Sequence, residues 1–295
     1  MAGHPFRIVN VFTENQGPFT GNPLCVFENG DGLSSEEMQS LARQFNLSET
    51  TFILRSTAAN ARVRIFTPAY EMAFAGHPTL GTAHVCRALK LGGDSLMLEM
   101  QAGLIPVRAV GDRWTLTAPG ATSRELDVPR ATLAKALGLE ERDIAERPLW
   151  VKAGKEQLVV PLTSTNAVRR AVPEAAAMAA VRSEDGLSMA YVFSFGGADT
   201  GRANAGGVAR GRDRALARFF FPVGGAILED PATGSATANL GAWCLAMQRA
   251  LPVQLQISQG EYAGRPSTLF LDVNPQRQVF VGGDVFEIGR GTVTL

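Results

Sequence analysis

Glu-Asp-Pro-Ala-Thr-Gly-Ser-Ala, residues 229–236, decides how this chain is read, because Gly-His-Pro-Thr-Leu-Gly-Thr-Ala at 76–83 repeats its framework. Pro78 matches Pro231, Gly81 matches Gly234, Thr82 matches Ser235 and Ala83 matches Ala236. Upstream, Phe66-Thr67-Pro68 is echoed by Phe220-Phe221-Pro222 with one residue of slip. Downstream, both copies run into apolar, helix-forming sequence. The chain therefore reads as two similar halves, each with one turn that opens a helix. Two such turns facing each other predict a single active site in a cleft between the halves.

Working outward from the first copy, His77 reads as the cap of its helix, since Pro78 follows where a missing N–H costs nothing. The helix continues to about Leu91, where Gly92-Gly93 stops it. Before it lie strands at Arg7–Phe12, Leu24–Phe27, Thr50–Leu54 and Arg62–Phe66. A helix capped by Ser34 or Ser35 carries Glu36 and Glu37 in its first turn, where the dipole favours acids. Strands follow near 95–100, 104–110 and 113–118, and Pro119-Gly120 marks a boundary. The second half predicts helices near 130–138, 173–181 and 231–248. Its strands fall near 149–152, 156–162, 190–195 and 218–221, with several short ones over 253–294. The Gly- and Arg-rich interval 196–214 reads as an exposed loop. The expected architecture is α+β, two similar barrel-like domains, each a mostly antiparallel sheet around a central helix. The first spans 1–118 and is joined by a C-terminal strand near 285–295; the second spans 119–284.

At 295 residues the chain can bury a core in each half. With 45% hydrophobic and 19% charged residues it is an ordinary globular sequence. Acidic and basic residues balance, 28 against 28, so neither nucleic acid nor an anionic membrane is an expected partner. No apolar segment reads as a signal or a membrane span, and a cytoplasmic location is the expectation. Cys25, Cys86 and Cys244 are scattered and odd in number, which suits buried free thiols better than disulfides.

A helix N-terminus presents free N–H groups and partial positive charge, so two of them suit a small substrate bearing a carboxylate. Gly76 and Gly234 let a ligand approach the backbone. Thr82 and Ser235 add hydroxyls, while His77 and Asp230, at equivalent places in the two turns, can orient polar groups or pass protons. Singly these signals are weak, since Asp-Pro is a common helix start and a lone His often caps a turn. Their pairing is what favours a site. Metal binding is not expected from His4, His77 and His84 without a nearby Cys or carboxylate cluster. Gly196-Gly197-Ala198-Asp199-Thr200-Gly201 lacks the order of a dinucleotide fingerprint, and no nucleophile elbow is present.

Four ordered motifs carry a resemblance: Phe-Thr-Gly-Asn-Pro-Leu at 19–24, Asn-Leu-Ser-Glu-Thr-Thr-Phe at 46–52, Phe-Ala-Gly-His-Pro-Thr-Leu-Gly at 74–81, and the stretch at 229–236. Nearly end to end, the chain resembles the PhzF-like family of phenazine-biosynthesis isomerases and their relatives, which share the diaminopimelate epimerase fold. The resemblance implies a homodimer and a cofactor-independent isomerase. Its general acid/base would be Glu49, which by itself reads as a solvated loop residue. His77, Asp230 and Ser235 would support Glu49, and Gly76 and Gly234 would help bind the substrate. The implied reaction moves a proton between ring carbons of dihydro-3-hydroxyanthranilate or a related carboxylate. Two alternatives stand beside it. A two-thiol racemase needs a cysteine at each helix-opening turn, but Cys86 and Cys244 lie about 12 Å or more along their helices at 1.5 Å per residue. A non-catalytic binding protein of the same fold would keep the same residues.

Overall fold

The computed structural model describes residues 3–196 and 212–295, so most of the Gly- and Arg-rich interval, 197–211, lies outside the described residues. The chain divides into two compact units, 1–117 with 282–295, and 118–281.

The first unit begins with β1 (Gly3–Val11), β2 (Asn22–Phe27), α1 (Ser35–Phe45) and β3 (Glu49–Leu54). It continues with β4 (Ala61–Phe66), β5 (Glu71–Met72), α2 (Gly76–Ala88), β6 (Ser95–Met100), β7 (Gly103–Val110) and β8 (Arg113–Thr117). The second unit holds β9 (Thr122–Glu125), α3 (Arg130–Ala136), β10 (Leu149–Ala153), β11 (Lys155–Pro161), α4 (Thr165–Arg170) and α5 (Ala175–Met178). Then come β12 (Ala190–Phe195), β13 (Asp213–Val223), β14 (Ala226–Asp230), α6 (Gly234–Ala246), β15 (Val253–Gln259) and β16 (Ser267–Val273). A long last strand, β17 (Val279–Thr294), returns the chain to the first unit.

In the first unit β1 pairs antiparallel with β2, β2 parallel with β3, β3 antiparallel with β4, and β4 parallel with β6. β6, β7 and β8 follow as an antiparallel meander. β17 pairs with both β8 and β1, so the strands of this unit close into a barrel. Helix α2 packs against β1, β2, β3, β4, β6 and β8. Its close approach needs Gly81, where a Cβ would meet Leu24 Cδ2 at 2.6 Å and Val11 Cγ2 at 2.9 Å.

The second unit repeats this scheme strand for strand. β10–β11 is antiparallel, β11–β12 parallel, β12–β13 antiparallel, β13–β15 parallel and β15–β16 antiparallel. The hairpin β13–β14 corresponds to β4–β5. Helix α6 packs against β9, β10, β11 and β16.

Local chemistry explains the helices. Ser34 and Glu37 form a reciprocal capping box on α1, and Asn46 ends that helix in the left-handed region. Met38, Leu41 and Ala42 of α1 then join Cys25, Phe27, Phe52 and Phe66 in a buried cluster, with Phe27 stacked on Phe52 at 4.8 Å. The second unit has its own core, built from α3, α4 and α5 against Trp150, Val160, Val192 and Phe220.

Several expectations need correcting. Helix α2 is capped by Ala75 in extended conformation, with no side-chain cap; His77 is its second residue and is buried. The helix ends at Ala88 because Lys90 takes a left-handed φ of 61° and Leu91 N–H bonds the Cys86 carbonyl, so Gly92-Gly93 is not the stop. The Ala-rich stretch forms only the four-residue α5, Ala175–Met178.

The repeat also has a different register. Phe66 and Phe220 hold the same strand place, facing Glu71 and Glu229 across their hairpins. The hairpin of the second unit is longer, turning through Gly224 and Gly225 at φ 55° and 87°. Beyond it Gly76 corresponds to Gly234, and Ser235 to His77 rather than to Thr82. The match of Pro78 with Pro231 is coincidental, for one is inside its helix and the other precedes it.

Candidate active site

At the start of α2 the sequence Ala75-Gly76-His77-Pro78 leaves the Gly76 and His77 N–H groups ahead of the first intrahelical bond, Thr79 N–H to Ala75 C=O. Glu49 opens β3 and lies opposite Leu24 of β2 in the parallel register. That places its side chain by His77, with His77 Nε2 3.3 Å from Glu49 Oε2 and only 8% and 15% of the two side chains exposed.

The imidazole is held neutral. Burial pushes its pKa down to about 3, against a hydrogen bond to the Pro23 carbonyl that works the other way. A carbonyl only accepts, so the ring nitrogen facing Pro23 is a donor. With Nε2 turned to Glu49, that donor is Nδ1, and Nε2 presents a lone pair. A lone pair and a carboxylate oxygen this close repel unless one proton lies between them. His77 Nε2 is therefore placed to accept a hydrogen bond from Glu49 whenever that carboxyl carries a proton.

At the start of α6 the N–H groups of Gly234, Ser235 and Ala236 precede the first intrahelical bond, Thr237 N–H to Thr233 C=O. From Gly234 to Cys244 every residue except Ser235 is buried. The Ser235 hydroxyl accepts from Gln157 Nε2 at 3.0 Å. Asp230 ends β14, and its Oδ2 accepts from the Thr233 hydroxyl at 2.5 Å. Gln259 secures the turn between them, donating to the Asp230 carbonyl at 2.9 Å and to Thr233 Oγ1 at 3.0 Å. Gly260 allows this, since a Cβ there would lie 2.4 Å from the Pro231 carbonyl oxygen.

Within the first unit, then, the structure brings Glu49 and His77 together, with Gly76 beside them in the chain. Within the second it gathers Asp230, Gly234 and Ser235 on one turn. Thr82 is left out: it is fully buried, and its hydroxyl is shared with Thr51 at 2.8 Å. Asp230 is not the counterpart of His77; the residue at its place in the first unit is Met72, at the end of β5.

Sequence reasoning missed Pro23, Gln157, Thr233, Asn239 and Gln259. One signal was available, the lone polar Asn239 in the apolar run Ala238–Trp243. The three cysteines are free and buried, and burial pushes Cys86 and Cys244 up to about 12. Among the described residues no three His, Cys, Asp or Glu side chains converge to hold a metal ion, and no helix is long and apolar enough to cross a membrane.

Residues 9–286 match the sequence model of a family described as phenazine biosynthesis-like proteins. An uncharacterised isomerase of Pasteurella multocida is 36% identical, over 98% of this chain and 93% of its own. The trans-2,3-dihydro-3-hydroxyanthranilate isomerase of Pseudomonas chlororaphis is 34% identical, over 99% of this chain and all of its own. Among solved structures, a PhzF-family phenazine biosynthesis protein of Bacillus anthracis superposes with a TM-score of 0.85 at 24% identity, each chain fully covered. A hydroxyproline epimerase of Agrobacterium vitis shares the fold more distantly, with a TM-score of 0.60 at 13% identity over 99% of this chain and 93% of its own.

Proposed function

The chain belongs to the phenazine biosynthesis-like family, and from that membership and the Glu49–His77 pair we propose a cofactor-independent isomerase that moves a proton between carbons of a small carboxylate, dihydro-3-hydroxyanthranilate or a related compound. The observation that carries this reading is the buried 3.3 Å approach of a neutral His77 to Glu49. Glu49 as carboxylate takes a proton from one carbon of the substrate, and as carboxylic acid returns it to another. The double bonds shift between the two steps, and no electrons are gained or lost. His77 Nε2 accepts a hydrogen bond from the acid form and so stabilises Glu49 while it carries the proton.

Ser235 and the N–H groups at the start of α6 hold the substrate carboxylate, where the helix dipole favours negative charge. Asp230, oriented by Thr233, holds a polar substituent, and Gly76 and Gly234 leave the backbone open to the ligand. Two-thiol chemistry is disfavoured, because Cys86 and Cys244 sit deep in their helices and stay protonated at neutral pH.

The test is incubation with trans-2,3-dihydro-3-hydroxyanthranilate in D₂O, followed by absorbance and NMR, beside Glu49→Gln. Ring deuteration by the wild type and none by the variant is the expected result. Equal turnover by the variant would remove Glu49 from the chemistry. Binding without turnover by the wild type would point to a non-catalytic binder.

A further inference from the structure

Beneath Ser235 runs a chain of side-chain amides whose direction is set at its far end by the backbone. The Ala153 N–H, which can only donate, bonds Asn239 Oδ1 at 2.7 Å. The Lys155 carbonyl, which can only accept, takes Asn239 Nδ2 at 3.1 Å. These two contacts fix which end of the Asn239 amide is which. Asn239 Nδ2 then donates to Gln157 Oε1 at 2.8 Å, and this in turn fixes the Gln157 amide. Its Nε2 donates to Ser235 Oγ at 3.0 Å. Asn239 is fully buried and Gln157 is 2% exposed, so water does not compete for these bonds.

The consequence falls on Ser235. A hydroxyl has one proton to give, and its oxygen can accept. With Gln157 donating into that oxygen, the Ser235 proton is directed elsewhere, and Ser235 is the one residue of the stretch Gly234–Cys244 that is not buried. We propose that Gln157, held by Asn239, is a positioning residue that commits the Ser235 hydroxyl to donating, so that the start of α6 selects a carboxylate over the isosteric carboxamide. Committed donors, the hydroxyl and the neighbouring backbone N–H groups, suit two acceptor oxygens. An amide NH₂ placed there meets a donor with a donor and leaves both without partners. A hydroxyl free to turn would tolerate either group.

This inference rests on the reading that α6 binds the substrate carboxylate, and the test separates the two. Binding of anthranilate and of 2-aminobenzamide is measured by titration calorimetry for the wild type, Gln157→Met, Gln157→Glu, Ser235→Ala and the Gln157→Met/Ser235→Ala double variant. Circular dichroism and thermal unfolding check the fold of each. Gln157→Met removes the donor with little change of shape. Gln157→Glu offers an acceptor that draws the Ser235 proton inward.

The expected result is a wild-type preference for the carboxylate of about 10- to 100-fold, the range of one hydrogen bond to a charged group. Gln157→Met loses most of that preference, Gln157→Glu loses at least as much, and the double variant is no worse than Ser235→Ala. A preference that survives Gln157→Met, or effects that simply add in the double variant, would overturn the role of Gln157 while leaving the carboxylate site standing. No binding of anthranilate by the folded wild type would sink the carboxylate reading and this inference with it.

Discussion

Helices α2 and α6 are each 13 residues long and open on glycine, and both close on the same left-handed turn, at Lys90 and Gln248, with Leu91 and Arg249 bonding back to Cys86 and Cys244. Their first turns nevertheless carry different chemistry. The second residue of α2 is His77, a buried neutral base facing Glu49, and Pro78 removes a donor from that turn. The second residue of α6 is Ser235, a partly exposed hydroxyl backed by a donor amide, and three N–H groups precede the first helical bond. On the function proposed above, one scaffold used twice carries a proton-transferring end and an anion-binding end. A duplicated fold supplies two dipole-positive helix starts, and the side chains at one place in the turn decide what each does.

The largest expected effect tests that division of labour. Glu49→Gln should lower kcat by about 10²–10⁴-fold, the usual worth of a positioned acid/base group, with little change in KM. The glutamine can still donate an N–H to His77 Nε2, so the fold should be kept. Ser235→Ala should instead act mainly on KM, by about 10- to 100-fold. Steady-state kinetics on the dihydro compound read both, and the comparison breaks if the two variants show the same split.

The arginines that brace the hairpins offer a second contrast. Arg218 and Arg64 hold the same strand place, each bidentate to the glutamate across its hairpin and lying over a phenylalanine ring at 4.8 and 4.9 Å. Arg218 is the more enclosed. Its third nitrogen also caps the carbonyls of Val168, Arg169 and Ala171, and Tyr262 covers it at 4.3 Å. Arg218→Met should cost about 3–5 kcal/mol, because it strands a largely buried carboxylate and three carbonyls. Arg64→Met, in the wetter setting, should cost about 1–2 kcal/mol. Urea unfolding of both variants checks the order; equal losses would mean that the carbonyl caps contribute little.

Much of this was legible in the sequence. A serine cap with acids in the first turn of α1, the presence of helices after His77 and after Pro231, and most strands follow from local pattern, because each is decided by residues within one turn or one pleat; the starts at Gly76 and Gly234 differ by one to three residues from that reading. What escaped was decided by the other side of the chain. The extra residues of the β13–β14 hairpin shift the repeat, so the matching prolines of the sequence do not share a register. Lys90 and Gln248 end their helices in a conformation usually left to glycine, and propensity gives no sign of it. Glu49 and His77 could be named, but not their contact, which depends on the parallel pairing of β2 with β3. Gln157 was invisible as a partner of Ser235, since only the packing of α6 on β11 brings them together.

The smallest effect concerns the acid limb of stability and probes the first helix alone. His77 folds with its pKa pushed down to about 3, against an ordinary value near 6.5 in the unfolded chain. As pH falls below about 6.5 the unfolded chain takes up a proton that the folded chain refuses, so protonation favours unfolding. The favourable balance is whole above that pH and declines toward about 3, by up to about 1.4 kcal/mol for each unit while the states differ by one proton. His84, whose pKa burial also lowers, adds in the same sense and is present in wild type and variant alike. Unfolding free energies measured by urea between pH 7 and pH 5 should therefore fall more steeply for the wild type than for His77→Gln. Parallel slopes would mean that His77 takes up its proton within the fold, and the contrast between a neutral base in α2 and a committed donor in α6 would lose its first half.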